Sequence, residues 1–181
     1  DAAGSLYVLS EGNTNGMAHI SKEGDFLGYF GANYVALSIE DIFRRIVFTE
    51  AQRMQLMRNI PVTPTNLDID DRGLVYTVTQ GIGASGGLRK LNMAGRNILN
   101  AEIVDQFVSD VAVGSLGNIF VVTSEGYIYE YTREGDLLFL FGGTDDGTNR
   151  EGLFINAKAI DIDSQGYIYV LDGEKNIIQI F

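Results

Sequence analysis

Two adjacent acids in a glycine-rich segment are the residues whose types and spacing come closest to a metal site. Asp145 and Asp146 lie within residues 142–151, which also contain glycine, threonine and asparagine. Carboxylate and amide oxygens are the ligands that Ca²⁺ prefers. The order of acids in an EF-hand loop is absent, however, and a turn rich in Gly, Asp and Asn has the same composition. We therefore predict no cofactor and retain Asp145 and Asp146 as secondary candidates for Ca²⁺.

A second motif suggests nucleotide binding but lacks the context that this function needs. Residues 81–86 match the G-x-G-x-x-G spacing of dinucleotide-binding loops and follow an apolar, strand-like run. Such a loop must open a helix within a βαβ unit. Here Gly87 follows at once, and Leu88 and Leu91 continue the pattern of a strand. We interpret the motif as a hairpin loop.

Side chains suited to catalysis are scarce. His19 is the only histidine and the sequence has no cysteine. Thiolate zinc sites, disulfides and cysteine nucleophiles are thereby excluded, and a zinc site built on several imidazoles is excluded in the same way. No G-x-S-x-G nucleophile motif occurs. The sequence predicts no catalytic residue, and a non-catalytic protein is the favoured interpretation.

A turn-and-strand repeat in the sequence predicts the elements that position these residues. Four segments begin with a turn that ends in glycine and continue as an alternating strand, and their glycines recur at intervals of 44 to 69 residues. The segments are residues 1–8, 70–77, 114–121 and 163–170. Three of them start with aspartate (Asp1, Asp70 and Asp163), whose side chain is expected to bond the amides of its own turn. A repeat of this size predicts a β-propeller.

Each repeat contains further strands. A second glycine follows 18 to 22 residues after the first in three repeats, and the positions seven and four residues before it are apolar. In the last repeat the same rule selects Ile177 and Ile180. The pattern predicts an all-β propeller of four-stranded antiparallel blades, with strands a, b, c and d, in a single partial domain over residues 1–181. The predicted blades are residues 1–31, 61–100, 107–142 and 152–181.

Two blades are expected to be incomplete. The first lacks strand a and the last lacks strand d, so we expect the sequence to be a piece of a longer protein. Unpaired sheet edges promote association. The expected partners of these edges are the missing blades or a second copy of the chain.

One segment departs from the repeat. Residues 32–60 have apolar side chains at helical spacing and two plausible N-caps. Pro61 and Pro64 prevent the second helical stretch from continuing far beyond Ile60. They predict a helical hairpin inserted between the first two blades, over the face that carries the b–c loops. The ligand-binding candidates on this face are Arg44, Arg45, Arg53, Gln80 and Ser85. The alternative is that the hairpin only shields a groove between blades.

Charge and hydropathy limit the partners. Thirteen basic and 24 acidic residues give a net charge of −11, which argues against a nucleic-acid surface. No apolar run reaches the length of a membrane span. We therefore expect neither a nucleic-acid partner nor a membrane span.

The last repeat resembles the NHL repeat. The resemblance rests on the linker glycines and acid, on the strand pair that follows, and on the closing strand: Gly142, Gly143, Asp146, Gly147, Leu153, Phe154, residues 159–172 and residues 176–181. It implies a six-bladed propeller that serves as a binding scaffold for a protein, peptide or carbohydrate ligand. Similar six-bladed propellers include calcium-dependent lactonases and a zinc-dependent lyase, but the single histidine does not match the lyase.

Two functions remain open at this stage. The preferred one is a non-catalytic scaffold that binds its ligand under the helical hairpin. The alternative is a metal-dependent hydrolase or lactonase whose ligands are shared with missing blades. The hairpin is similar to inserts in bacterial NHL-like proteins of unknown function, which implies a bacterial source and an extracytoplasmic location, with the cytoplasm still open.

Overall fold

A computed structural model describes residues 1–10, 13, 15–31, 63–81, 87–99 and 107–181. Within these ranges every regular element is a β-strand. The predicted helical hairpin at 32–60 lies outside the described residues. The described residues also include no helix with the length and hydropathy of a membrane span.

Thirteen strands form four antiparallel sheets in the described part of the chain, and the strands of each sheet are neighbours in sequence. The first sheet contains β1 (Leu6–Val8), β2 (Met17–Ile20) and β3 (Phe26–Phe30). The second contains β4 (Asn66–Ile69), β5 (Val75–Val78) and β6 (Leu88–Leu91). The third contains β7 (Val108–Val113), β8 (Ile119–Thr123), β9 (Tyr127–Tyr131) and β10 (Leu137–Gly142). The fourth contains β11 (Ala157–Ile162), β12 (Ile168–Asp172) and β13 (Ile177–Ile180). We call them blades one to four.

The prediction of four strands in both central blades is only partly correct. Blade three has all four, whereas strand d of blade two is reduced to one bridge between Leu91 and Asn97. The side chain of Asn97 accounts for the difference. Its Oδ1 accepts hydrogen bonds from the amides of Lys90 and Leu99, each at 3.1 Å, and so replaces a backbone carbonyl of the ladder.

The predicted role of the repeated aspartate is confirmed. Asp70 Oδ1 accepts the amides of Arg72 at 3.0 Å and Leu74 at 2.8 Å, and Asp1 and Asp163 make the same pair of bonds in their own turns. Gly73 closes the turn with a φ of 76°, in the left-handed region that favours glycine. Three c–d turns use the same device with the side chains of Ser21, Asn92 and Thr132.

In blades two and four the turn aspartate has a second partner, a tyrosine three residues after the glycine. Tyr76 Oη donates to Asp70 Oδ2 at 3.2 Å, and Tyr169 Oη donates to Asp163 Oδ2 at 3.0 Å. In blade three the turn begins with Gly114, and the position of the tyrosine is Phe120. The carboxylate and the hydroxyl are therefore absent together.

The spacing rule is wrong by one residue in blade four. Ile168 pairs with Phe181 through two backbone hydrogen bonds, as Ile119 pairs with Tyr131 in blade three. The apolar positions of this strand are consequently Ile178 and Phe181, in place of Ile177 and Ile180. A shift of one residue moves a side chain to the other face of a sheet.

Blades pack face to face. We call the face of a blade that contacts the following blade its front face, and the opposite one its back face. The front of blade two and the back of blade three share one buried cluster, and the front of blade three and the back of blade four share another. A smaller cluster of Met17, Val75 and Leu91 joins blades one and two.

Carboxylates on the first strands of the blades connect neighbours. Asp68 on β4 accepts the amide of Val113 on β7 at 2.7 Å, and Asp110 on β7 accepts the amide of Ile160 on β11 at 3.0 Å. Burial raises the pKa of Asp110 to about 6, although its two amide donors oppose the change. Burial also raises the pKa of Asp68.

A buried lysine adds a contact near the outer side of the blades. Lys90 on β6 donates from Nζ to the carbonyl oxygen of Arg133 in blade three at 2.8 Å. The ammonium lies 5.5 Å from the ring centre of Tyr76, within the range of a cation–π contact. Burial lowers the pKa of Lys90.

The raised pKa of Asp110 predicts a pH dependence of stability. The ionised carboxylate destabilises the folded chain, because its folded pKa of about 6 exceeds the ordinary 3.8. This destabilisation is absent below about pH 4 and complete above about pH 6. We expect the free energy of unfolding, measured in urea relative to Asp110→Asn, to fall by about 3 kcal/mol as the pH rises through this window. Asp71→Asn, at an exposed turn position, is the control, and parallel curves for the chain and Asp110→Asn would contradict the prediction.

Candidate functional site

The b–c loops and the d–a connections meet on one face of the sheets, which we call the loop face. Thr63, at the end of the connection into blade two, donates its hydroxyl to the carbonyl oxygen of Asn13 in the b–c loop of blade one at 3.2 Å. Thr144, after β10, donates to the carbonyl oxygen of Glu125 at 3.1 Å. The two kinds of loop therefore support each other.

The structure places one of the five predicted ligand-binding residues. Gln80 is exposed at the end of β5, beside Gly81, whose φ is 133°. Arg44, Arg45 and Arg53 of the insertion and Ser85 of the b–c loop lie outside the described residues.

The acids predicted as secondary Ca²⁺ candidates are adjacent in sequence but have different environments. Asp145 is buried, and its carboxylate accepts the amides of Gly147 and Thr148, each at 2.9 Å, and that of Arg150 at 3.2 Å. Asp146 is exposed and accepts the hydroxyl of Thr148 at 2.7 Å. Asp145 thus organises the turn from inside while Asp146 faces solvent.

A lysine occupies the position where a cation would approach Asp145. Lys175, in the b–c loop of blade four, forms a buried ion pair with Asp145 Oδ2 and donates to the carbonyl oxygen of Leu153 at 3.0 Å. The bond to Lys175 lowers the pKa of Asp145 to about 2. Within the described ranges, no three acidic or histidine side chains are grouped as metal ligands would be. The charge of the Asp145 carboxylate is therefore balanced by the Lys175 ammonium group.

Two further side chains of blade four hold the connection that precedes it, residues 143–156, which we call the linker. Gln179 accepts the amide of Gly152 at 2.7 Å and donates to the carbonyl oxygen of Leu153 at 2.9 Å. Asp172 accepts the amides of Ile155 at 2.8 Å and Asn156 at 3.3 Å. The linker is thus bound to blade four at several points along its length.

Asp172 also organises the loop that contains Lys175. Its Oδ1 accepts the amides of Glu174 at 3.0 Å and Lys175 at 3.1 Å. Burial by itself raises the pKa of Asp172, but the four amides together bring it below its ordinary value. A carboxylate with this many donors stays ionised and fixes both loops relative to each other.

The linker and its neighbours present a polar surface to solvent. Asn149 has a φ of 55°, and the turn that it forms leaves the side chains on either side exposed. The exposed polar residues on the described part of the loop face include Gln80, Glu125, Asp146, Thr148, Asn149, Arg150, Glu151 and Glu174. Their side chains extend from backbone that buried contacts hold in place, so this surface can recognise a polar ligand without first becoming ordered.

Sequence reasoning missed the contacts that hold this surface. Lys175 and Asp145 are 30 residues apart, and no local pattern links them. It also did not predict that acids recur on the first strands of three blades, at Asp68, Asp110 and Asp161. The signal is the alternation of apolar and acidic residues in these strands, which emerges only when the first strands of the repeats are compared with one another.

Comparison with known proteins identifies the fold. No family model matches the sequence, and no curated protein sequence matches it significantly. The chain is similar to the WD40 β-propeller domain of Doa1, with a TM-score of 0.62 and 15% identity over 99% of this chain and 47% of that one. It is also similar to streptogramin B lyase, with a TM-score of 0.54 and 11% identity over 99% of this chain and 54% of that one.

A third similar structure is an auxiliary nutrient binding protein from Bacteroides ovatus, with a TM-score of 0.56 and 14% identity over 98% of this chain and 35% of that one. The chain thus spans about half the length of the first two structures and about a third of the last. At these identities the likeness extends to the architecture only. The chain has the β-propeller fold.

Proposed function

We propose that this β-propeller chain is a non-catalytic binding scaffold that takes a protein, peptide or carbohydrate ligand on its loop face. The observation that supports the proposal best is the linker of residues 143–156. Buried contacts from Asp145, Asp172 and Lys175 fix its backbone, while the side chains between them remain exposed and polar. Rigid elements that present loops are the usual basis of binding sites in such folds.

We also propose that the blades are of the NHL type. The residues that carry the resemblance in blade four are used structurally in this chain. Asp163 and Tyr169 stabilise the a–b turn, Gln179 binds the linker, and Phe154 fills the interface with blade three. These contacts give a physical reason for the recurrence of the pattern.

The alternative, a metal-dependent hydrolase or lactonase, would need oxygen ligands directed into the channel. Asp68, Asp110 and Asp161 lie on the first strands of three described blades and are near enough to raise one another's pKa. Each of the first two already accepts two backbone amides, one in its own strand and one in the next blade. This use of the carboxylates favours the scaffold over the hydrolase.

The contribution of Lys175 to the rigidity of the linker is testable. Lys175→Met leaves the buried carboxylate of Asp145 without its counter-ion, so we expect a lower melting temperature and faster limited proteolysis within residues 143–156. Asp145→Asn combined with Lys175→Met should lose less than the two single changes summed, because the double variant leaves no unpaired charge. The coupling should persist at neutral pH and disappear only as the pH falls from about 4 towards 2, where Asp145 binds its proton. Additive effects of the two changes would show that the ion pair does not hold the linker.

Ligand binding is tested by screening the labelled chain against a glycan array and a random peptide library. For a compound that binds, we expect Gln80→Ala and Arg150→Ala to raise the dissociation constant at least about tenfold, since both side chains are exposed on the loop face. Lys22→Ala and Arg96→Ala, in c–d turns on the opposite face, are the controls.

Removal of residues 32–60 should abolish binding while the circular dichroism spectrum of the sheets is retained. Binding that survives this deletion and responds to the c–d turn variants would place the site elsewhere. A requirement for Ca²⁺, removed by a chelator and accompanied by ester or lactone hydrolysis, would favour the hydrolase.

A further inference from the structure

One position of strand c on the front face carries a polar side chain in three of the four blades. It pairs with the third residue after the first glycine, and its occupants are His19 opposite Tyr7, Lys90 opposite Tyr76 and Glu130 opposite Phe120. In blade two, Lys90 Nζ donates to the carbonyl oxygen of Arg133 in the next blade at 2.8 Å. In blade three, Glu130 Oε1 accepts the side-chain amide of Asn118 at 2.6 Å. Both of these polar groups therefore have a partner.

The outer ring nitrogen of His19 has none at this position. Nε2 is buried and makes no hydrogen bond with any described residue. The imidazole stacks on Tyr7, with ring centres 4.4 Å apart and 11° between the ring planes. Its centre lies 6.4 Å from that of the Phe30 ring, at an angle of 67°. A polar atom buried in this way has lost its bonds to water without a replacement.

The junction with blade two encloses this ring. Met17, two residues before His19 on the same face, is fully buried in the cluster that joins blades one and two. A methyl group added to Gly95, in the c–d turn of blade two, would lie 3.0 Å from the amide nitrogen of Gly31 and 4.0 Å from the Phe30 ring. Both blades of this junction are present, so His19 is enclosed by neighbours that the chain itself supplies.

The facing turns differ in charge between this junction and the next one. Lys90 lies against the c–d turn of blade three, where the carboxylate of Glu134 favours the charged ammonium group. In the equivalent turn of blade two, which packs against blade one, Ala94 takes the place of Glu134, and Arg96 follows two residues later. The partner that favours a cation in one junction is thus replaced in the junction of His19.

The other charged groups around His19 do not supply a buried acid. Arg89 is the charged side chain among the described strand residues of blade two that face blade one. Asp70, in the a–b turn of blade two, is bonded to its own turn and to Tyr76 on the front face. Burial raises the pKa of Tyr7, which therefore stays neutral. The exposed charged side chains of the neighbouring turns are Asp1, Lys22, Glu23, Asp25, Asp71 and Arg72.

We propose that His19 makes the junction between blades one and two sensitive to pH, with protonation of its ring opening the junction. The neutral ring fills the space between Tyr7 and blade two and leaves one nitrogen unsatisfied. A second proton would bury a positive charge without an acceptor, which the open junction avoids by exposing the ring to water. The open form therefore binds more protons than the closed form. The junction is closed at neutral pH and weakens as the pH falls through the range in which histidine ordinarily gains its charge.

Opening of this junction also changes the loop face. Thr63, at the entry to blade two, donates its hydroxyl to the carbonyl oxygen of Asn13 in blade one, and this bond spans the same junction. Protonation of Asp110 acts in the opposite direction, because it stabilises the packing of blade three against blade four. A loss of order at acidic pH that is confined to blade one therefore identifies the effect of His19.

Hydrogen exchange of the full chain, read by mass spectrometry and corrected for the intrinsic effect of pH, tests the proposal. From about pH 7.5 to about pH 5 we expect the protection of β1, β2 and β3 to fall at least about tenfold, because a three-stranded sheet loses burial with its neighbour. The protection of β7 to β12 should not fall. Because His19 is the only histidine, its ring resonances in NMR spectra show whether it gains its proton over the same range.

Variants at His19 separate its charge from its packing. His19→Gln and His19→Phe cannot gain a proton, and the second also retains a ring against Tyr7, so β1 to β3 should stay protected at both pH values. Glu23→Gln removes an exposed acid of the same blade and should lose protection as the natural chain does. Circular dichroism at neutral pH checks that each variant is folded.

Three results would overturn the proposal. The first is an equal loss of protection in the natural chain and in the folded His19 variants. The second is a ring that gains its proton while β1 to β3 stay protected. The third is an absence of protection in these strands at neutral pH, because the junction would then not be closed.

Discussion

The packing of each blade against a neighbour on both sides is the constraint on which the rest of this structure depends. A three- or four-stranded sheet with two apolar faces cannot bury both of them by itself, so stability resides between repeats as much as within them. Met17, Leu88 and Ile128 occupy one position of the repeat, and each is buried by the blade that follows. Because both faces of the described blades are used for packing, recognition is left to the loops.

Three charged side chains that bond across a blade interface lie towards its inner or outer margin. Asp68 and Asp110 lie on the innermost strands and accept amides across the interface, and Lys90 reaches a turn of the next blade. On the loop face, the pair of Lys175 and Asp145 has the same function for the linker. A buried charge is tolerated only where a partner compensates its lost hydration. These groups therefore specify how neighbouring blades are aligned.

Much of the fold was predictable, because glycine turns and apolar alternation are local signals. The prediction failed where a local signal was missing or replaced. In blade four no second glycine fixes strand c, and the assignment of Ile177 in place of Ile178 was wrong by one residue. In blade two the side chain of Asn97 interrupts strand d, which hydropathy cannot show. The site was harder to predict, since composition identified Asp145 but its partner Lys175 belongs to a loop 30 residues away.

The joint absence of the turn aspartate and the tyrosine hydroxyl in blade three has a consequence for how such repeats diverge. In blades two and four a tyrosine hydroxyl donates a hydrogen bond to the turn aspartate, as Tyr76 does to Asp70 and Tyr169 to Asp163. In blade three neither group of this hydrogen bond is present, because Gly114 and Phe120 occupy the two positions. In blade two, where Tyr76 is fully buried, loss of the aspartate alone would leave the phenol without its partner. Stepwise substitution from the Asp–Tyr pair to the Gly–Phe pair is thus disfavoured, because it passes through this intermediate. Recombination of whole eight-residue segments between repeats crosses this barrier in one step.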